Sequence, residues 1–190
     1  MAHAGTASAR AQDPAAPELA DALREVHGRR LHGFALLLTL GDRALAARLA
    51  ADALAAAEAR AGELRHPERA AAWLRARVLR GMPRRHRLPS PAEERAALEP
   101  LDLDPAAVDG LAVLAPRERA ALIASDVERL DPLDVETVAG RHGVHLERLL
   151  VRARRRYLTA AAAAPLGADA AASAGPLVRR IRAVAERTMA

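Results

Sequence analysis

Between Arg141 and Ala160 the chain places six arginines and one glutamate, so this short stretch carries 6 − 1 = +5, equal to the formal net charge of all 190 residues. A guanidinium is a fixed cation whose planar fork of donors suits phosphates and the edge of guanine. If the stretch is a helix, His145, Arg148 and Arg152 lie in its N-terminal part, which is the part that faces bases when such a helix enters a groove. Arg154, Arg155 and Arg156 follow as phosphate contacts, and Arg141 precedes the helix in the turn. A second basic block, Arg75 to Arg87, holds six arginines and no acid, +6. There Arg77, Arg80 and Arg84, with Arg75 and Arg85, form either a row of nucleic-acid contacts or a solvated helix face. Between the two blocks, Glu93 to Glu136 holds twelve acids and four arginines, 4 − 12 = −8. Such a span could fold back on the basic patches and compete with DNA.

Other chemistry finds no support. His27 and His32 are five apart, and His142 and His145 straddle a turn, so neither pair gives the i, i+4 face of a metal site. There is no cysteine. No Ser/His/Asp set, phosphate-cradling glycine loop or paired buried carboxylates can be argued, and Glu93-Glu94 reads as a solvated pair. The expectation is a protein without metal, cofactor or enzymatic activity.

The elements that must position these residues are helical. Strand formers are sparse and never alternate, so the fold expected is all-α: two small helical domains joined by a Pro-rich linker. Residues 1–17 read as a disordered tail. In the first domain, 18–83, a helix from Glu18 to about Leu40 turns Leu19, Leu23, Val26, Leu31, Phe34 and Leu38 inward. Gly41 ends it and Asp42 caps a second helix with Leu45, Leu49, Ala53 and Leu54 inside. A third opens at Pro67-Glu68, buries Ala71, Leu74 and Val78, and stops at Pro83. Its Trp73 reads first as a core anchor and second as a stacking platform. Residues 84–104 form the linker. The second domain, 105–160, contains a helix opened by Pro116 and ends in LDPLDVETVAGRHGVHLERLLVRARRRYL. There Asp134 is the expected cap of a short helix with Val138 and Ala139 inside. Gly143 supplies the turn, and a helix from Val144 to Tyr157 buries Val144, Leu149 and Ala153, a helix-turn-helix pattern. Residues 161–190 read as a mobile tail carrying a short basic amphipathic helix.

All 29 basic residues are arginine. A coding bias can supply that total without selection, so the clustering carries more meaning than the sum. The longest apolar run, Phe34 to Leu40, is too short to span a bilayer, and the N-terminus lacks the apolar core of a signal peptide. A cytoplasmic protein without membrane insertion is expected.

The order of these parts resembles the bacterial RNA polymerase sigma factors, and within them the small two-domain, extracytoplasmic-function type. LHGFALLLTLGDRALAARLAADAL is similar to the family's first characteristic stretch, HPERAAAWLRARVLRGMPRR to its Trp-Leu helix, and the segment from Leu114 to Leu158 to its promoter-reading domain. The resemblance covers about Leu23 to Ala160. It implies polymerase core and promoter DNA as partners, with an anti-sigma factor as a further one. It also implies polymerase docking through the second helix and capture of the melted −10 strand by Trp73, Arg77, Arg80 and Arg84. In the docking pattern, the corresponding places hold Arg48, Ala51, Asp52 and Leu54, of which only Asp52 matches. Gly81, Met82 and Pro83 end the Trp-Leu helix where the family's continues through further aromatics. Two other readings remain open: a helix-turn-helix regulator without polymerase contact, and a degenerate sigma-like adaptor for a protein partner.

Overall fold

A computed structural model describes residues 15–60, 69–84, 89–98 and 105–163, which are helical with no strand among them. Most of the N-terminal tail, the Pro67-Glu68 helix start, Arg85, parts of the linker and nearly all of the C-terminal tail lie outside the described residues. The elements are α1 (Ala15–Leu38), α2 (Arg43–Glu58), α3 (Ala70–Gly81), α4 (Pro91–Leu98), α5 (Pro105–Ala112), α6 (Pro116–Leu122), α7 (Pro132–Ala139) and α8 (Val144–Ala163). A π-helical turn, Ile123–Val127, continues α6.

Local signals explain most boundaries. α1 ends because Leu40 (φ 53°) and Gly41 (φ 84°) turn left-handed. The Gly41 N–H then returns to the Leu36 carbonyl at 2.9 Å. Glycine adopts that conformation freely; Leu40 does so against steric cost while its side chain is buried in the core. Asp42 caps α2, its carboxylate accepting the Leu45 N–H at 2.9 Å. α6 and α7 each begin on a proline in the first turn, where the missing N–H costs no helical bond.

Four boundaries differ from the sequence expectation. α1 already runs at Ala15, inside the expected tail. The linker 84–104 contains α4, whose Ala97 and Leu98 are buried and which packs on α1. Apolar residues placed correctly outweigh the prolines on either side, because proline suits a helix's first turn. The cap of α7 is Asp131, which accepts the Leu133 N–H at 2.9 Å, so Asp134 is released for another partner. α8 continues past Tyr157 to Ala163, since its alanines have high helix propensity.

Packing joins the N-terminal and C-terminal helices. α1, α2 and α3 pack on one another, α5 and α6 pack on α8, and α3 lies against α7 and α6. Buried side chains from both sides of residues 84–104 belong to one cluster, among them Leu31, Phe34, Leu74, Leu111, Leu122, Ile123 and Tyr157. Two residues expected inward, Val26 and Val144, are exposed. Alanine is as frequent as leucine among the buried side chains, and one glycine allows a close approach. At Gly110 an added Cβ would sit 2.7 Å from the Tyr157 ring, whereas at Gly33 it would meet nothing within 4 Å.

That contrast gives a stability test. Gly110→Ala should lose about 1–3 kcal/mol through overpacking of α5 on α8. Gly33→Ala, inside α1, should gain about 0.5–1 kcal/mol from reduced chain entropy. Urea unfolding of the two variants checks both signs.

Candidate nucleic-acid interface

The turn between α7 and α8 is built from two left-handed glycines, Gly140 (φ 60°) and Gly143 (φ 50°). Only the second was singled out from sequence. Gly140 ends α7, its N–H bonding the Glu136 carbonyl at 2.9 Å. Glu136 then reaches across the turn. Its carboxylate accepts the Gly143 N–H at 2.6 Å and stands 3.1 Å from His142 Nδ1. These contacts hold the Glu136 carboxyl below the ordinary 4.5 of a glutamate, the Gly143 bond more than the His142 one. Glu136 therefore fixes the angle at which α8 leaves the turn, a role the sequence alone did not suggest.

α8 has two faces. Leu146, Leu149, Ala153, Arg154, Tyr157 and Ala161 are buried at helical spacing. Val144, Arg148, Val151, Arg155 and Thr159 form the opposite, exposed stripe, with His145 beside its start. Val144 begins the helix on the side away from the buried Leu146 and Leu149 and is 50% exposed. Together with Val151 it adds apolar surface between the cations, of the kind that contacts thymine methyls in a major groove. Glu147 is the acid on this face, in the first turn of α8, where the helix dipole favours it.

The arginines assigned to DNA from sequence separate into three groups. Arg141, Arg148 and Arg155 are exposed, as is His145, and none of the four has an ion-pair partner among the described residues. Arg152 and Arg156 are half out of the fold, and both bind the Glu118 carboxylate at the start of α6, at 2.7 and 2.6 Å. Arg154 is inside. Its Nε and Nη2 form a fork on Asp126 at 2.9 and 2.8 Å, with 8% of the Arg154 side chain and 1% of the Asp126 side chain exposed. It is not a phosphate contact; the π turn carries Asp126 inward to meet it.

The second basic block divides likewise. Arg77, Arg80 and Arg84 are exposed on and just after α3. Arg75 is buried, forked onto Glu128, bonded to the Ala71 carbonyl at 2.8 Å and 5.7 Å above the centre of the Phe34 ring. It ties α3 to the segment after α6 and has no face for a nucleic acid. Trp73 is half-buried against the core. Asp52 is exposed on α2. Arg69 donates toward Asp134, the Leu133 carbonyl and Thr137 on α7 at 3.4, 3.4 and 3.2 Å. The acidic span thus supplies structural partners: Glu118, Asp126, Glu128 and Asp134 all meet arginines of the fold.

An open cleft of about 730 Å³ lies between the starts of α2 and α4, lined by Asp42, Arg43, Ser90 and Glu93. Its polar groups serve the helix ends: Asp42 caps α2, and Ser90 and Glu93 form a reciprocal cap on α4. Among the described residues no three His, Asp or Glu side chains group as a metal site, and no helix is long and apolar enough to cross a membrane. Comparison with protein-family models, curated proteins and solved structures finds no match.

Asp126→Ala should cost roughly 3–5 kcal/mol by leaving Arg154 charged and buried, and Asp126→Leu with Arg154→Met should recover most of it. Denaturant midpoints at equal slope decide this. Glu136 gives a pH dependence: its folded value is depressed, so its stabilisation of the turn is complete above the unfolded value and lost as pH falls through the folded one. The Gly143 amide resonance should move with that titration, and in Glu136→Gln the movement should vanish.

Proposed function

We propose that this chain is a sigma-factor-like transcription initiation protein that binds promoter DNA by laying α8 in a major groove. The observation that carries the reading is the exposed stripe of α8, where Arg148 and Arg155 face solvent beside His145 with no carboxylate partner among the described residues. α7, the two-glycine turn and α8 form the helix-turn-helix of this reading, with Glu136 fixing the turn. His145 and Arg148 address base edges, Val144 and Val151 thymine methyls, and Arg141 and Arg155 phosphates. RNA polymerase core is the proposed protein partner, by resemblance of the order of the helices, with Asp52 on its docking surface and an anti-sigma factor as a regulator. The protein acts without catalysis of its own, in the cytoplasm.

The buried Arg75–Glu128 pair favours a second reading. It holds the helix that would capture the −10 strand against the C-terminal helices, with Arg75 turned inward and Trp73 half-buried. A regulator that reads one duplex with α8 and never meets the polymerase would need no separation of these halves.

Two measurements on the full chain test the proposal. Two arginines on phosphates, Arg141 and Arg155, at roughly 0.9 each predict a slope near −2 for the logarithm of the binding constant against that of salt concentration. Arg148→Ala should weaken the preferred site by about 1–3 kcal/mol, and random duplex far less. Co-elution with core polymerase at moderate salt supports the sigma reading. DNA binding with elution apart from the core leaves the regulator, and no DNA affinity overturns both.

A further inference from the structure

We infer that Glu118 is a positioning residue that restrains Arg152 and Arg156 and so limits how strongly α8 is drawn to DNA irrespective of sequence. The inference rests on the DNA-binding reading above. Glu118 stands at the start of α6 with 5% of its side chain exposed. One oxygen accepts Arg152 Nε at 2.7 Å. The other accepts Arg156 Nη1 at 2.6 Å and the Ala115 N–H at 3.1 Å. Arg152 and Arg156 are one helical turn apart, so a single carboxylate reaches both. Arg156 is further tied through Nη2 to the Val113 carbonyl. Both guanidiniums nevertheless border solvent, their side chains 59% and 45% exposed. They sit where a phosphate backbone could take them, and a carboxylate takes them first.

The consequence follows from charge. Two arginines and one glutamate leave 2 − 1 = +1 at this end of α8. Sequence-independent affinity grows with each phosphate neutralised, whereas discrimination depends on the ratio of specific to random binding. Restraining two cations therefore lowers the random term and leaves readout to Arg148 and His145, which have no ion-pair partner among the described residues. A role confined to capping α6 would need only the bond from the Ala115 N–H, which an amide oxygen also accepts.

The test compares the full-length wild type with Glu118→Gln, a nearly isosteric change that removes the charge. Binding to a random-sequence duplex is followed by fluorescence anisotropy over a salt series, with circular dichroism reporting helix content. Glu118→Gln should bind random duplex several-fold more tightly at low salt, with a slope steeper by about 0.9. Glu118→Asp, which keeps the charge, should return toward the wild-type slope. Should Glu118→Gln lose helix content, Arg156→Gln and Arg155→Gln decide the matter. The restrained Arg156 should contribute less than half the slope change of the unpaired Arg155. A folded Glu118→Gln with wild-type affinity and slope would overturn the inference, as would equal losses at Arg155 and Arg156. Wild type without affinity for any duplex would remove the DNA reading itself, and the inference with it.

Discussion

A guanidinium does not lose its proton inside a protein, so every arginine that enters the core must find acceptors. This chain has no lysine to offer as a neutralisable substitute, and its fold is arranged around that constraint. Arg75 takes Glu128, and Arg154 takes Asp126. Arg119, also buried, donates to the Leu38, Leu111 and Leu114 carbonyls, where α1 and α5 end. These three side chains link the N-terminal helices, the π turn and α8. They add directional contacts to a core in which small alanines are as frequent as leucines.

The same constraint sorts the surface. Carboxylates of the span between the basic blocks are taken up by arginines that must be paired, some deep in the fold and some, like those on Glu118, at its edge. What remains on α8 without an ion-pair partner among the described residues is a short stripe, Arg148 and Arg155 with two valines between and before them. The +5 of this region is thus not presented whole to a partner. Arg154 is neutralised internally and Arg152 and Arg156 share one acid, so the charge available to a phosphate backbone is a fraction of that written in the sequence. Glu136, bonded to the Gly143 N–H and beside His142, fixes the angle at which α8 leaves the turn.

Features governed by neighbouring residues were legible in the sequence. Asp42, Gly41, Pro116 and Gly143 mark helix ends because caps, prolines and left-handed glycines act within a few positions, and Leu31, Phe34, Leu45, Leu49, Leu74 and Val78 were placed inside by period alone. The buried arginines were not legible. In the tract Arg154-Arg155-Arg156 nothing local tells the inward residue from the outward ones; the acid that selects Arg154 lies 28 residues away. Arg75 and Glu128 are separated by 53. The π turn that aims Asp126 has no marker residue, and α4 was hidden by the prolines around it. Val144 differs from expectation because the buried stripe runs through Leu146 and Leu149, which at 100° per residue lies on the other side of the helix.

On the proposed function, α8 meets DNA through Arg148 and Arg155 while the buried, paired arginines stay in the fold. Arginine side-chain NMR during titration of the full chain with a duplex tests it directly, since each guanidinium Nε–H reports separately. The Arg148 and Arg155 signals should shift and broaden as duplex is added, with Arg75 and Arg154 unmoved. Unperturbed Arg148 and Arg155 signals, or shifts centred on Arg75 and Arg154, would contradict DNA binding through this stripe.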